Sequence, residues 1–81
     1  MNETELRAAV LGALGEIAPE ADLSALDAQM PLREQLDLDS MDFLNVVVAI
    51  HRRTGIEIPE ADYRKLATLA DAIAYLTTRS P

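Results

Sequence analysis

Cysteine is absent from this chain. That excludes a disulfide staple, a Cys-based metal centre and a thiol nucleophile, and it suits a reducing compartment. Aromatic residues are nearly absent too: one Phe, two Tyr and no Trp. The chain therefore offers no platform for stacking bases, and its core must be built on Leu, Ile, Val and Ala. Basic residues are scarce, seven against fourteen acidic ones, for a formal net charge of -7. Such a surface repels nucleic acid phosphates and favours partners with basic faces, so a DNA or RNA role is not expected. No apolar run approaches the roughly 20 residues that cross a bilayer, and the opening Met1-Asn2-Glu3-Thr4-Glu5 lacks the basic stretch of a secretory signal. A cytoplasmic protein without membrane insertion is the expectation. At 81 residues it should form a single domain over 1–81, burying only roughly 60 to 65% of its unfolded surface around a simple apolar core.

What is present is helical periodicity. Leu6, Ala9, Val10, Ala13, Leu14 and Ile17 recur at three and four, which places them on one face of a helix I spanning about Glu3 to Ala18. Asn2 with Glu5 three residues on has the logic of a capping box, and Pro19 stops the helix. Ala18 to Asp39 has no sustained period and contains Pro19 and Pro31, so it is expected to be a long ordered connection with a short helical turn. Leu23, Leu26, Met30, Leu32 and Leu36 are the side chains available to pin it to the core. Ser40 to Arg53 is the second strong helix, with Phe43, Val46, Val47 and Ile50 on one stripe and Leu44 and Val48 widening it. Gly55 ends that helix. Ile56-Glu57-Ile58 is extended, Pro59 opens a brief helix III to about Lys65, and Thr68 with Asp71 caps helix IV. Leu69, Ala72, Ile73 and Leu76 form the buried stripe of that last helix. The expected class is all-α: three main helices and a short one, with a long loop between the first two.

The segment Leu36-Asp37-Leu38-Asp39-Ser40-Met41-Asp42 puts a serine and three carboxylates where loop becomes helix. Its plain function is capping: Asp39 or Ser40 supplies an N-cap and Asp42 complements the dipole, together worth about 1 to 2 kcal/mol. A hydrolytic triad is excluded, because the only histidine, His51, lies eleven residues along the same helix, about 16 Å away. A calcium loop starting at Asp37 would need Gly and Glu where Asp42 and Val48 stand. Phosphoryl transfer through the Asp-x-Asp pair lacks a preceding hydrophobic strand, and the chain is too small for a doubly wound sheet. An enzyme is not expected. An exposed, unactivated serine at a helix N-terminus is suited instead to be modified, since free backbone N–H groups there favour an attached phosphate. Capping and modification predict the same fold, and the spacing alone leaves both open.

Asp39-Ser40-Met41-Asp42, the apolar helix that follows and Gly55-Ile56-Glu57-Ile58-Pro59 together resemble acyl carrier proteins. Their Asp-Ser-Leu attachment motif and Ile-Pro approach to a short third helix occur in the same order and spacing, over nearly the whole chain. The resemblance implies an acyl-carrier-like four-helix bundle with 4'-phosphopantetheine covalently attached to Ser40. It also implies a phosphopantetheinyl transferase that takes the arm from coenzyme A, with Asp39 near the magnesium ion of that complex. Acyl intermediates would ride as thioesters to acyl-transfer, synthase or ligase enzymes, and the acyl chain could fold back among the aliphatic side chains of helices II, III and IV. A monomer is implied.

Departures from the family pattern are specific. Asp37 stands where Gly is common, and Met41 where Leu is common. On the expected exposed face of helix II, Asn45 and Ala49 interrupt the usual row of acids and the helix ends His51-Arg52-Arg53, cations that favour the negative end of a helix dipole. Asp39, Met41, Asp42 and Asn45 form the expected recognition surface beside Ser40, altered enough to suggest a specialised fatty acid, lipid or polyketide pathway. Tyr63 stands where a smaller side chain is usual near the arm, either covering the core with its hydroxyl in water or gating an acyl pocket. An aminoacyl or peptidyl carrier of a nonribosomal pathway and an unmodified helical adaptor are the alternatives.

Overall fold

The computed structural model describes residues 1–80. It contains α1 (Glu3–Ile17), α2 (Leu32–Gln35), α3 (Ser40–Thr54) and α4 (Leu69–Arg79), with 3-10 helices at Leu23–Ala25 and Glu60–Leu66. Among the described residues there is no β-strand, only an isolated antiparallel bridge between Pro31 and Thr68. The bundle is all-α, as the periodicity implies.

Each main helix begins where its cap predicts. Asn2 Oδ1 accepts from the Glu5 amide at 2.8 Å while Glu5 Oε1 accepts from the Asn2 amide at 3.0 Å, the reciprocal box that satisfies two otherwise orphaned donors. Thr68 Oγ1 accepts from the Asp71 amide at 3.0 Å to start α4. Gly55 ends α3 in the left-handed region, φ 72°, and its N–H donates to His51 O at 2.7 Å. That conformation is the reason for a glycine there.

One apolar cluster holds the bundle together. Leu6, Val10, Ala13 and Leu14 of α1 meet Val46, Val47, Ala49 and Ile50 of α3 and Leu69, Ala72, Ile73 and Leu76 of α4. Full burial of each such aliphatic side chain is worth about 1.5 to 3 kcal/mol before conformational entropy is counted. The expected stripes of α1 and α4 are therefore the observed ones, with Ile17 half-buried at the end of the first.

The structure corrects three details. The long connection carries two helical turns, Leu23–Ala25 and Leu32–Gln35, in place of one. Met30, expected to pin it, is exposed, whereas Leu32 and Leu38 are buried. Leu23, Leu26 and Leu36 pack against the core as expected, and backbone bonds add to the anchoring: Leu32 N–H donates to Ala67 O at 2.8 Å and Ala70 N–H to Ala28 O at 3.0 Å. On α3, Ala49 belongs to the buried face and Leu44 and Val48 to the exposed one. Successive helical residues turn by about 100°, so Ala49 falls about 60° from Val46 on the side opposite Ile50 and extends the buried face toward α1. Leu44 and Val48 face away from it. The Arg52 and Arg53 that close α3 also reach across to α1: Arg53 Nε donates to Glu16 Oε2 at 2.9 Å and Arg52 Nη1 to Oε1 at 3.3 Å. The Arg53 hydrogen bond, followed by Arg52, holds the Glu16 carboxyl below its usual pKa.

Candidate functional site around Ser40

The site is built by a corner in the chain. After α2, Asp37 adopts a left-handed conformation at φ 51°, which costs a residue with a Cβ roughly 1 kcal/mol or more and is tolerated best by Asp and Asn. The glycine expected here has this conformational reason, and Asp37 is a working substitute. The turn lets Leu38 bury its side chain and donate its N–H to Arg33 O at 2.9 Å. With Leu38 anchored inside and Asp39 extended as N-cap, Ser40 becomes the first residue of α3.

Asp39 and Asp42 form a reciprocal capping box. Asp39 Oδ1 accepts from the Asp42 amide at 2.8 Å and Asp42 Oδ2 accepts from the Asp39 amide at 3.2 Å. Capping therefore belongs to Asp39, and Ser40 is left exposed with its hydroxyl free of the helix end. Arg33, seven residues earlier, donates from Nη2 to Ser40 Oγ at 3.3 Å and from Nε to Leu38 O at 3.4 Å. Its guanidinium carbon lies 6.0 Å from the centroid of the Phe43 ring, within cation–π range.

Ser40 opens onto a cleft of about 430 Å³. Ser40, Phe43 and Leu44 of α3 form one wall, Tyr63, Arg64 and Ala67 face them from the 3-10 helix and its end, and Pro31 and Arg33 close the third side. No residue of α4 lines it. The space thus lies between α3, the short helix and the α2 turn, and the interior among α1, α3 and α4 is filled by side chains.

The short helix is held by a polar network. The Tyr75 hydroxyl of α4 donates to Asp62 Oδ2 at 2.7 Å, and Asp62 also takes ion pairs from Lys65 at 3.3 Å and Arg79 at 3.0 Å. The Tyr75 hydrogen bond is the largest effect and lowers the Asp62 pKa; burial opposes it, and Lys65 and then Arg79 lower the pKa further. Burial first, and the Asp62 carboxylate second, raise that of Tyr75. This knot fixes Tyr63 and Arg64, the residues next to Asp62, against the cleft.

Nothing here activates the serine. His51 lies in a separate 160 Å³ cleft with Val47, Val48, Glu57, Ile58 and Tyr63, and its Nδ1, 2.8 Å from Ile56 O, must donate to that carbonyl. Among the described residues no group of three or more His, Asp or Glu side chains could hold a metal ion. An exposed hydroxyl beside a cation, at the edge of an apolar cleft and without a base of its own, suits covalent modification with the base supplied by another protein far better than nucleophilic catalysis by this chain.

Of the residues singled out in the sequence, Ser40 and Tyr63 line the same cleft, while Asp39, Met41 and Asn45 are exposed around the start of α3 and Asp42 is half-buried beneath them. Ala49 leaves this surface for the core. In its place Met41, Leu44 and Val48 form an exposed apolar stripe. Arg33, Arg64 and Tyr75 shape the site without any sequence signal, and Phe43, expected on the apolar stripe of the helix, lines the cleft. Arg33 and Arg64 stand in stretches without helical period, and their approach to Ser40 depends on how the connection folds back.

Comparisons with known proteins agree with this geometry. The family model described as phosphopantetheine attachment site matches residues 4–76. An acyl carrier protein of Kineococcus radiotolerans is 31% identical over 71 residues, 84% of this chain and 88% of that protein. One of Acidothermus cellulolyticus is 34% identical over 70 residues, 83% of each. The solution structure of a protein described as an acyl carrier protein, from Anaplasma phagocytophilum, superposes with a TM-score of 0.85 at 26% identity, covering all of this chain and 94% of that one. Fold, exposed serine and relatives converge: the chain belongs to the acyl carrier proteins, the family defined by a covalently attached 4'-phosphopantetheine.

Proposed function

We propose that Ser40 is the attachment point and that the protein carries acyl intermediates as thioesters for a specialised fatty acid, lipid or polyketide pathway, with no catalysis of its own. The observation that carries this is the Ser40 hydroxyl, exposed at the mouth of the cleft and released from capping by Asp39. The residues present fit the group. Ser40 Oγ would form the phosphodiester bond as a phosphopantetheinyl transferase releases the nucleotide part of coenzyme A, Asp39 and Asp42 hold the hydroxyl at the first position of α3, and Arg33 sits beside it. The arm supplies the thiol that this cysteine-free chain lacks. Reading the chain as one cytoplasmic, monomeric carrier domain is consistent with its single apolar cluster and with the lack, among the described residues, of a helix long and apolar enough to cross a membrane.

The test is intact-mass measurement after incubation with coenzyme A and a broad-specificity transferase. A phosphopantetheine adduct on the natural chain and none on Ser40→Ala is the expected result; labelling of Ser40→Ala, or no labelling of either, would overturn the assignment.

The specialised pathway rests on the partner-facing side of α3. Asn45 is exposed where an acid of the usual row is expected, Met41, Leu44 and Val48 are exposed beside it, and Arg52 and Arg53 close the helix engaged with Glu16. Because charge complementarity governs encounter and rejection of partners, enzymes with basic docking patches should meet this face poorly. Turnover by a housekeeping ketoacyl synthase equal to that with its own carrier would refute it.

A further inference from the structure

Four of the seven basic side chains pair with carboxylates: Arg52 and Arg53 with Glu16, and Lys65 and Arg79 with Asp62. With fourteen acidic residues in the chain, cations without a carboxylate partner are unexpected. Arg33 and Arg64 are two of the three such residues among those described, and both line the cleft onto which Ser40 opens. No Asp or Glu lines that cleft. It is a cationic island on a strongly acidic protein.

Arg33 is also aimed. Its Nε is tied to Leu38 O and its guanidinium is held near the Phe43 ring, which leaves Nη2 directed at Ser40 Oγ. A neutral hydroxyl uses little of a guanidinium, which carries five donors in a fork suited to two oxygens of one anion. Conversion of Ser40 Oγ into a phosphate ester oxygen places anionic oxygens one bond further on. Arginine–phosphate hydrogen bonds are charge-assisted and frequently bidentate, roughly twice as strong as bonds between neutral groups.

We propose that Arg33 and Arg64 form a binding site for the phosphodiester of the prosthetic arm, docking its proximal half in the cleft beside Ser40. This rests on Ser40 being the attachment point. The remaining lining, Pro31, Phe43, Leu44 and Ala67, is apolar and matches the gem-dimethyl segment that follows the phosphate in the arm. The arm of this carrier is thus parked along α3 and the short helix until a partner competes for it, and the parking weakens with ionic strength because both arginines are exposed.

The test uses the full chain loaded from coenzyme A, with loading at Ser40 verified by intact mass before any other reading. Absence of loading would remove both the attachment point and this site, whereas a negative result on loaded protein counts against the arginine site alone. The phosphorus NMR resonance and the relaxation of a carbon-labelled arm are compared in the natural chain, Arg33→Gln, Arg64→Gln and Arg33→Lys. The expected result is a resonance displaced from that of free phosphopantetheine and an arm slowed to the tumbling of the protein. Each Gln variant should raise the free-to-docked ratio by about twofold to fivefold, the range for exposed charge pairs, with partial retention in Arg33→Lys and loss of docking in molar salt. Melting of the unloaded Arg64→Gln should be unchanged, and Arg33→Gln and Arg33→Lys, which both lose the bond from Nε to Leu38 O, should melt alike, so that a docking difference between them separates this role from support of the α2 turn. Identical resonances and relaxation in all four proteins would overturn the proposal. So would docking that appears only when the cargo bears a carboxylate, since the arginines would then serve the cargo and not the arm.

Discussion

Replacing Asp39 in two ways separates its role as a cap from its role as a charge. In the structure Asp39 Oδ1 accepts from the Asp42 amide at 2.8 Å while its carboxylate stands at the positive end of α3. Asp39→Ala removes both contributions. The lost cap costs about 1 kcal/mol, and the lost charge about 0.3 to 1 kcal/mol, for a total of about 1.5 kcal/mol. Domains of this size melt about 4 to 8 °C lower per kcal/mol, so the variant should melt about 6 to 12 °C lower. Asp39→Asn keeps an acceptor oxygen in place and loses only the charge, about 0.5 kcal/mol, or about 2 to 4 °C. Thermal denaturation of the unloaded proteins followed by far-UV circular dichroism measures both, and the Asn deficit should shrink in salt. Transferase labelling at a temperature where all three proteins are folded should order them differently. If the Asp39 carboxylate also serves the magnesium ion of the transferase complex, both variants lose labelling while only Asp39→Ala loses much stability. Equal melting of the Asn and Ala variants would refute the hydrogen-bonded cap, and natural labelling of Asp39→Asn would refute the second role.

Asp37→Gly should leave stability unchanged or raise it by up to about 1 kcal/mol, whereas Asp37→Val should lower it by about 1 to 2 kcal/mol, because a β-branched residue is penalised at φ 51°; urea titration decides. A Cβ on Gly12 would lie 2.5 Å from Arg53 Nη1, so Gly12→Ala should displace Arg53 from Glu16 and gain less than the roughly 1 kcal/mol usual for this exchange in a helix. The Glu16 pKa, held down first by Arg53, should rise in that variant by NMR titration, and an unmoved value would contradict the ion pair. Tyr75→Phe should cost about 1 kcal/mol and raise the Asp62 pKa, whose largest lowering cause it removes. The signs with pH follow from the shifts. Tyr75 is raised above 10.0, so its contribution is complete below that pH and fades as pH climbs through the raised value; Asp62 is lowered from 3.8, so its contribution is present above that pH and fades as pH falls through the lowered value. The natural chain should therefore lose stability relative to Tyr75→Phe above about pH 10. Tyr63 lines both the Ser40 and the His51 clefts, and Tyr63→Ala should join them and change the protection of long acyl thioesters from hydroxylamine; unchanged protection would dismiss a gating role.

Local rules sufficed for much of this protein. The caps at Asn2 and Thr68, the stop at Gly55 and the buried stripes of α1 and α4 were legible because each depends on residues within four positions of one another. The motif at Asp39-Ser40 and the family it points to were legible for the same reason. On α3 the stripe of Val46, Val47 and Ile50 was legible and is buried, but the sequence could not determine to which flank the buried face extends. Ala49 and Val48 are adjacent and similar in polarity, and only the position of α1 buries one and exposes the other. Arg33 and Arg64 likewise become a pair only when backbone bonds from Leu32 to Ala67 and from Ala70 to Ala28 fold the connection against the short helix. Helical periodicity records the neighbours within a turn, whereas the cleft beside Ser40 is made by segments some thirty residues apart, whose meeting is fixed by packing the whole core at once.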